Sequence, residues 1–305
     1  MADALLRDLR DLPGVDVLTT RDTRLAEPPA GIEVHVPRDR REAALLFERC
    51  IDVSDATWIV APETDGVLER LSAQVLARNR ILLGSRPDAI RLCTSKAGTA
   101  EVLARHQIPV VPTFVPDHFT TPFMGPAVLK PADGAGCVNT HVHRDLDTAL
   151  DAWQAAGRPP NVVLQPFVAG ESASLSLLVG TGDAVILSVN RQCVVQCGES
   201  LRFLGCHVNG LASWQTALAP LARSIAEALP GLWGYAGVDF ILAAAGPVVL
   251  EVNPRLTTSY AGLRRAIGSN PAALVLALLH EHAPLPAAPA ALEAVEIRPE
   301  PEYVF

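Results

Sequence analysis

Hydrophobic and polar positions in the first 85 residues follow two alternating periods. Helical stretches carry an apolar stripe every three or four positions; they are residues 3–11, REAALLFERCI and DGVLERLSAQVLARN. Strand-like stretches are short and apolar; they are GVDVLTT, IEVHV, WIVAPE and ILLG. Strands that alternate with helices of this length predict βαβ units and a mostly parallel sheet. The chain opens on a helix, so the expected first strand is absent from this pattern.

The pattern changes after Ser85, where strands become more frequent than helices. Helices are predicted for TSKAGTAEVLARHQ, for Asp145 to Ala156, for ALAPLARSIAEALP and for a segment after Pro271. Strands are predicted on either side of a glycine-rich loop in PAVLKPADGAGCVNTHVH, and for VVLQPFVAG, ESASLSLLVG and DAVILSVNRQCVVQ. The final segment, APLPAAPAALEAVEIRPEPEYVF, is rich in proline and alanine, which predicts an extended or loosely packed tail.

The stretch VVLEVNPR places a carboxylate and an amide in an otherwise apolar strand. Side chains at positions i and i+2 share one face of a strand, so Glu251 and Asn253 point the same way. The upstream run VDFIL predicts the partner strand of a hairpin, which makes Asp239 a cross-strand neighbour on that face. Buried oxygens of this kind need partners. Water and backbone donors would suffice, and a hard cation such as Mg²⁺ would also suit them.

Composition narrows the class of protein. The chain has 305 residues, of which 49% are hydrophobic and 19% charged, and its net charge is −8. An acidic chain lacks the excess of Lys and Arg that nonspecific nucleic-acid binding requires. No apolar run is long enough to predict a membrane span. The N-terminus does not read as a signal peptide. The six cysteines show no CxxC pair, which predicts reduced thiols in a cytoplasmic protein.

Three further features are only weak indications of a binding or catalytic site when each is taken alone. VLKPADGAGCV puts Lys130 before a glycine-rich loop, where backbone N–H groups can approach an anion closely. Lys96 opens a helix, and a surface lysine is the ordinary explanation for it. LQPFVAGESASLSLLV joins two strands through an apolar bend followed by Glu171. This bend suits either a plain hairpin or a site where backbone groups meet an adenine edge and Glu171 accepts from ribose hydroxyls.

Taken in order along the chain, these features resemble the ATP-grasp superfamily. The resemblance covers roughly residues 85 to 280, and its most specific part is GVDFILAAAGPVVLEVNPR. It implies a combined α/β and α+β protein with the ATP-grasp fold. Its implied parts are an N-terminal parallel-sheet α/β domain (1–85), a small subdomain (86–168), a large subdomain with the metal site (169–285) and a C-terminal tail (286–305). It also implies that the first strand of the N-terminal domain is missing from this sequence.

The same resemblance implies ATP and two Mg²⁺ ions as ligands, with Mn²⁺ as an acceptable substitute. The residues that it assigns to nucleotide binding are Lys96, Lys130, Gly134, Gly136, Cys137, Gln165, Phe167, Val168 and Glu171. The residues that it assigns to the metal ions are Asp239, Glu251 and Asn253. Lys130 and Arg255 are implied to be catalytic, with Arg255 meeting the transferred phosphoryl group or an acyl phosphate.

The segments NPRLTTSYAGLRRA, KPADGAGCV and GESASLSLL are similar to one subgroup of that superfamily, which contains tyramine–glutamate ligase of methanofuran biosynthesis. The implied activity is that of an ATP-dependent carboxylate–amine ligase, which forms an amide through an acyl phosphate. Its substrates would be glutamate and tyramine, tyrosine or a related amine, in the biosynthesis of a cofactor of the methanofuran or methylofuran type. The alternatives are a dipeptide ligase of the D-alanine–D-alanine type and a nucleotide-binding regulatory protein without turnover.

Two positions depart from the pattern of that superfamily. Ser95 precedes Lys96 where many relatives have aspartate, and Gln165 with Pro166 replaces an acidic pair that is common at the hinge.

Arg264 and Arg265 suit either a carboxylate clamp or a solvated helix face. The expected partners are small carboxylates and amines, without nucleic acid or membrane, and the sequence leaves a homodimer open.

Overall fold

The computed structural model describes residues 1–119, 121–134, 136–280 and 284–299. Its α-helices are α1 (Ala2–Arg10), α2 (Arg40–Val53), α3 (Val67–Ala77), α4 (Pro87–Thr94), α5 (Lys96–Arg105), α6 (Leu146–Ala155), α7 (Gln215–Ala228), α8 (Tyr260–Ile267) and α9 (Pro271–Ala277). Its strands are β1 (Leu18–Thr20), β2 (Glu33–His35), β3 (Ala56–Thr57), β4 (Ile81–Leu82), β5 (Ala127–Pro131), β6 (His141–His143), β7 (Val162–Pro166), β8 (Glu171–Val179), β9 (Ala184–Cys197), β10 (Ser200–Val208), β11 (Gly234–Ala243), β12 (Gly246–Asn253) and β13 (Val295–Ile297).

The N-terminal region contains two short parallel ribbons, in agreement with the predicted parallel pairing. β1 pairs with β2, and β3 pairs with β4. The predicted strand over WIVAPE is wrong in its extent, because only the two residues of β3 just before it form ladder hydrogen bonds. Ile59 packs instead into a local core with Ile51, Leu68 and Val75. Burial of apolar residues therefore accounts for this run without a longer strand.

A nine-stranded sheet with helices packed against it follows the N-terminal region. Its strand order is β12-β11-β8-β9-β10-β6-β5-β7, and β13 pairs with β10 beside this path. Its strand pairs are all antiparallel. Strand β8 is buried from residue 173 to its end, because helices cover both faces of the sheet around it. The combination of parallel ribbons and an antiparallel sheet confirms the predicted fold class.

Two apolar cores lie on opposite faces of this sheet. One core joins Leu175 and Phe240 of the sheet to Ile225 of α7 and Leu103 of α5. The other core joins Leu178 and Tyr235 to side chains from α1, α8 and α9. Within the described residues, no helix combines the length and the apolar character needed to cross a bilayer.

Side-chain caps fix the start of several helices. Asp39, Ser95, Asp145 and Asn270 each accept a hydrogen bond from a backbone N–H in the first turn of the helix that follows. Such caps satisfy N–H groups that have no partner within the helix. Ser95 is the residue that departs from the superfamily pattern, and here it caps α5 and so fixes where Lys96 begins that helix.

The C-terminal segment is less loose than its composition predicts. Residues 295–297 form β13 and pair with Cys206 to Val208 of β10. The remainder of the segment from 284 to 294 has no assigned helix or strand, and residues 281–283 and 300–305 lie outside the described residues. The predicted boundaries at 85, 168 and 285 stay predictions.

Candidate functional site

Two carboxylates face each other on the β11–β12 ribbon. Asp239 is paired with Glu251, and Gly237 is paired with Asn253, in the antiparallel register. A β-bulge follows, since Phe240 pairs with Val249 and Leu250 is the extra residue. The predicted cross-strand placement of Asp239 is therefore confirmed. Both carboxylates and Asn253 line one cavity with a volume of about 370 Å³.

The two carboxylates differ in their electrostatic surroundings. Burial, followed by the negative charge of Glu251, raises the pKa of Asp239 to about 7. Burial alone would also raise the pKa of Glu251, but the positive charges of Lys96 and Lys130 outweigh it and hold that pKa below its ordinary value. Glu251 is thus the anion at neutral pH, and the carboxyl of Asp239 can share a proton with it, whereas a bound cation would favour the ionised form of both groups.

Lys96 connects the glycine-rich loop with the β11–β12 ribbon. It is the first residue of α5, and its side chain is 7% exposed. Its Nζ lies 3.3 Å from Glu251 Oε2 and donates to Gly134 O at 2.7 Å and to Ala132 O at 3.4 Å. The ordinary reading of Lys96 as a surface lysine is therefore wrong.

Lys130 brings a second ammonium group to the same carboxylate. It lies near the end of β5, and its Nζ is 3.8 Å from Glu251 Oε2. Burial lowers the pKa of Lys130, although the carboxylate of Glu251 acts in the opposite direction. Two desolvated lysines around one carboxylate form a strong local field for an anion with more than one charge.

The glycine-rich loop lies over this part of the cavity. Gly134, Gly136 and Cys137 all line it, and Ala135 is outside the described residues. Gly136 and Cys137 have positive φ values of 67° and 62°. A glycine adopts that conformation freely, whereas a cysteine does so rarely. Burial raises the pKa of the Cys137 thiol to about 11, so it is neutral at pH 7.

The predicted hinge residues Gln165, Phe167 and Val168 also line the cavity. Gln165 is buried at the end of β7, and its Nε2 donates to Thr113 Oγ1 at 2.7 Å. The backbone N–H of Phe167 donates to Pro126 O at 2.8 Å, so that donor already has a partner in the protein. The amide of Gln165 therefore has a fixed orientation where an acidic residue is common in the superfamily.

Glu171 is placed elsewhere than its predicted role requires. It is not among the described residues that line the cavity, and its carboxylate forms an exposed ion pair with Arg191. The alternation along β8 explains this placement, because Ser172 and Ser174 face the cavity while Glu171 faces the other side. The structure does not bring Glu171 together with the other predicted nucleotide residues.

Arg255 lines the cavity just after β12, and three protein groups hold its guanidinium. Its Nε is hydrogen-bonded to the carboxylate of Glu63, its Nη1 donates to Leu256 O at 3.0 Å, and its Nη2 donates to Asn253 Oδ1 at 3.4 Å. Arg264 and Arg265 are not among the described lining residues. They pair with acidic side chains instead, as a helix face would.

Three polar residues at the site were not predicted, namely Gln192, Tyr235 and Ser176. Gln192 of β9 donates from Nε2 to Asp239 Oδ1 at 2.7 Å. At the inner end, the hydroxyl of Tyr235 lies 2.8 Å from Thr257 Oγ1 and 3.1 Å from both Ser176 Oγ and Ser259 Oγ. The signal for the serines was present in the sequence, because ESASLSLL has a polar residue at every second position of a buried strand.

The donor set at the ribbon fits a hard divalent cation. Carboxylate and amide oxygens are the ligands that Mg²⁺ prefers, and Mg²⁺ commonly uses one or two carboxylates together with phosphate oxygens and water. Asn253 donates from Nδ2 to Asp239 Oδ2 at 3.3 Å while its Oδ1 accepts from Arg255 Nη2 at 3.4 Å, so half a turn of the amide would present its oxygen to a cation in exchange for the contact with Arg255. Among the described residues no cluster of three or more His, Cys, Asp or Glu side chains could hold a metal. Two carboxylates and one amide therefore leave coordination positions that water or phosphate oxygens would fill.

Two lysines, two carboxylates and a glycine-rich loop line one cavity of this fold. This combination defines the class of protein. Residues 93–259 match the ATP-grasp domain, and residues 15–90 match the pre ATP-grasp 3 domain. The first match spans more than half of the chain, and this protein belongs to the ATP-grasp family. Members of this family bind ATP together with divalent metal ions.

Individual relatives are more distant. Tyramine–L-glutamate ligase from Methanocaldococcus jannaschii is 28% identical over 210 residues, covering 69% of this chain and 58% of that protein. Ribosomal protein bS6–L-glutamate ligase from Salmonella paratyphi B is 26% identical over 246 residues, covering 73% of this chain and 78% of that protein. A crystal structure of an ATP-grasp superfamily protein from Archaeoglobus fulgidus has a TM-score of 0.61 and 26% identity, covering 80% of this chain and 75% of that chain. The chain spans only 58% to 62% of the length of the tyramine–L-glutamate ligases that it matches.

Proposed function

We propose that this protein is an ATP-dependent carboxylate–amine ligase that joins glutamate to a small amine. The observation that carries the proposal is the convergence of Lys96, Lys130, Glu251, Asp239 and Arg255 on one cavity. A protein that only binds a nucleotide would not require two paired carboxylates, two buried lysines and an oriented arginine together. Catalysis of phosphoryl transfer requires such positioned charges.

Each group has a distinct role in this proposal. Lys96 and Lys130 hold the phosphates of ATP, while Gly134, Gly136 and Cys137 cover them. Asp239, Glu251 and Asn253 hold Mg²⁺, for which two ions are proposed and Mn²⁺ is an acceptable substitute. Arg255 meets the phosphoryl group during its transfer. The adenine base lies against Gln165, Phe167 and Val168. Contact between Glu171 and the ribose would require its exposed ion pair with Arg191 to open.

The proposed reaction has two steps. A carboxylate oxygen of the first substrate attacks the γ-phosphorus of ATP, so that an acyl phosphate forms and ADP leaves. The amine of the second substrate then attacks the acyl carbon, the bond to phosphate breaks, and an amide and inorganic phosphate result after loss of a proton from nitrogen. Magnesium neutralises phosphate charge when it is bound. The buried ammonium groups of Lys96 and Lys130 beside Glu251 add to this positive charge. The surrounding cavity limits competing hydrolysis by water.

The similarity to tyramine–L-glutamate ligase supports glutamate as the carboxylate and tyramine, tyrosine or a related amine as the acceptor. It also supports a place in the biosynthesis of a cofactor of the methanofuran or methylofuran type. A second candidate is addition of glutamate to a protein or peptide acceptor, which the match to ribosomal protein bS6–L-glutamate ligase favours. The six free cysteines support a reducing compartment such as the cytoplasm.

The test is ADP release from ATP in a panel of carboxylate and amine pairs. L-Glutamate would be combined with tyramine, with tyrosine and with a peptide that ends in glutamate, and D-alanine would be tested with itself. For the mixed pairs each substrate alone serves as the control, because a ligase requires both partners for sustained turnover, and the control for D-alanine is the same reaction without it. Mass spectrometry of the product would identify the new amide.

ADP release that depends on both glutamate and a small amine is the expected result. Turnover only with the peptide would favour the second candidate, and turnover only with D-alanine would favour a dipeptide ligase. Nucleotide binding without turnover for any pair would overturn the proposal in favour of a regulatory protein.

A further inference from the structure

The guanidinium of Arg255 is anchored by a residue far away in the sequence. Its Nε binds the carboxylate of Glu63, and the two residues are 192 positions apart. Both side chains are largely buried, with 15% exposure for Arg255 and 9% for Glu63. Glu63 lies in the N-terminal region that matches the pre ATP-grasp domain, whereas Arg255 follows the ribbon that carries the two carboxylates. One ion pair therefore connects the two regions at the cavity.

The backbone around Glu63 is well fixed. Its carbonyl accepts from the N–H of Gly66 at 2.9 Å, which closes a short turn just before α3. The next residue, Thr64, donates from Oγ1 to Asp133 O at 3.4 Å in the glycine-rich loop. A small secondary cavity brings Glu63 together with Lys96, Glu251 and Asn253. The segment at 63–64 thus contacts both the arginine and the loop from behind the main cavity.

The contacts of Arg255 leave part of its guanidinium available to a ligand. Glu63 uses the single N–H on Nε, while Leu256 and Asn253 accept from Nη1 and Nη2. Each Nη carries two N–H groups, so one on each remains beyond these contacts. A carboxylate at Nε fixes the plane of the guanidinium, because a charge-assisted hydrogen bond is shorter and stronger than a neutral one. The remaining donors then point in a defined direction rather than sampling several rotamers.

We infer that Glu63 is a positioning residue that orients Arg255 toward the phosphoryl group being transferred. This inference rests on the proposed function, in which Arg255 meets that group. Glu63 is not among the described residues that line the main cavity, so it acts through Arg255 and not by contact with substrate. Loss of its charge should therefore reduce the rate of the chemical step more than it reduces affinity for the adenine and sugar.

The experiment compares Glu63→Gln, Arg255→Met and the double variant in the full chain. Glu69→Gln is the matched control, because Glu69 forms an ion pair with Arg91 nearby and is not among the described lining residues. For each variant kcat and KM for ATP are measured with the best substrate pair. In parallel, affinities for ADP and for a nonhydrolysable ATP analogue are measured with Mg²⁺ by calorimetry. Thermal unfolding confirms that each variant is folded at the assay temperature, and Glu63→Asp replaces Glu63→Gln if it is not.

The expected result is a decrease in kcat on the order of 10- to 100-fold for Glu63→Gln, with a smaller increase in KM for ATP of at most about tenfold. Glu63→Gln should cause little further loss when Arg255 is already methionine, since residues that act as one unit are not additive. The inference would be overturned if the decreases in kcat caused by Glu63→Gln and Arg255→Met multiplied in the double variant. It would also be overturned if Glu63→Gln had the same kcat and KM as Glu69→Gln.

The binding measurements separate this inference from the proposed function. If the wild-type protein releases no ADP with any substrate pair, the proposed function has failed. The role of Glu63 is then decided by the ratio of affinities for the ATP analogue and ADP. A ratio that falls by about tenfold in Glu63→Gln supports orientation of Arg255 toward the terminal phosphate. An unchanged ratio contradicts it.

Discussion

Lys96 Nζ lies 3.3 Å from Glu251 Oε2 and 2.7 Å from the carbonyl oxygen of Gly134. One ammonium group therefore contacts both the ribbon that carries the paired carboxylates and the loop that covers the cavity. Lys130 reaches the same carboxylate oxygen from β5. Glu251 is the centre of this arrangement, because both lysines and Asp239 depend on its charge.

Replacement of Glu251 by glutamine should abolish turnover while the protein stays folded. The change removes the negative charge of a proposed metal ligand and leaves the side-chain volume almost unchanged. It also leaves two buried ammonium groups without their carboxylate, which should lower the free energy of unfolding by about 1–3 kcal/mol. We expect kcat to fall by at least about 100-fold, measured by ADP release, while chemical denaturation still shows a cooperative transition.

The control for this variant is Glu227→Gln, which changes an exposed glutamate of α7. That variant should match the wild type in both rate and stability. Activity of Glu251→Gln within a few-fold of the wild type would contradict the metal assignment.

Replacement of Gly237 by alanine should disturb the inner end of the cavity. A Cβ at this position would lie 2.4 Å from Thr257 Cγ2, which is closer than atoms can pack. Thr257 cannot rotate without moving its Oγ1 away from the hydroxyls of Tyr235 and Ser259. We expect the alanine variant to lose about 1–3 kcal/mol of unfolding free energy, measured in urea.

The matched double variant adds Thr257→Ser, which removes the clashing methyl group and keeps the hydroxyl. It should recover most of the lost stability. Gly84→Ala is the control, because a Cβ there meets nothing within 4 Å. Equal stability of Gly237→Ala and the double variant would show that Thr257 is not the obstacle.

Local patterns in the sequence predicted the carboxylate ribbon well. The polar positions at 251 and 253 share a face because strand geometry fixes that periodicity, and the register then placed Asp239 opposite Glu251. Arg255 follows directly on the same chain segment. The general placement of Lys96, Lys130 and the glycine-rich loop around one cavity required the resemblance to a family, since each feature alone suits an ordinary surface.

Other parts of the site had no local signal. Glu63 ends an apolar run, and nothing near it indicates a partner 192 positions away. Glu171 was assigned by its position after a bend, but the alternation of β8 turns Ser172 and Ser174 toward the cavity instead. The strand predicted over WIVAPE was wrong because apolar burial and strand pairing give the same short hydrophobic pattern.

Replacement of Gly205 by alanine should detach β13 from the sheet. Gly205 has a φ of 132° beside a β-bulge in β10, and a Cβ there would lie 2.2 Å from the carbonyl oxygen of Ile297. Neither the backbone conformation nor the space admits a side chain. We expect faster hydrogen exchange of the amides at 295–297, measured by mass spectrometry.

Leu204→Ala is the control for this change, because Leu204 is exposed and next in sequence. It should leave exchange at 295–297 as in the wild type. Unchanged protection in Gly205→Ala would contradict the pairing of β13 with β10.

The N-cap of α6 should give a defined pH dependence. Asp145 Oδ1 accepts from the hydroxyl of Thr148 and from its backbone N–H at 2.8 Å. These hydrogen bonds, followed by the ion pair with Arg144, lower the pKa of Asp145 from an ordinary 3.8 to about 2. A carboxyl with a depressed pKa in the folded state stabilises the fold above its unfolded pKa. Its contribution is lost as pH falls from about 4 to about 2.

Two variants separate the cap from the charge. Asp145→Asn keeps a good capping side chain and cannot titrate, whereas Asp145→Ala removes the cap. At pH 7 the alanine variant should melt at a lower temperature than the asparagine variant. As pH falls from 5 to 3, the wild type should lose stability relative to Asp145→Asn, because only the wild-type side chain takes up a proton on unfolding. A constant difference between these two proteins over that pH range, measured by thermal unfolding, would mean that the capping carboxylate does not have the lowered pKa.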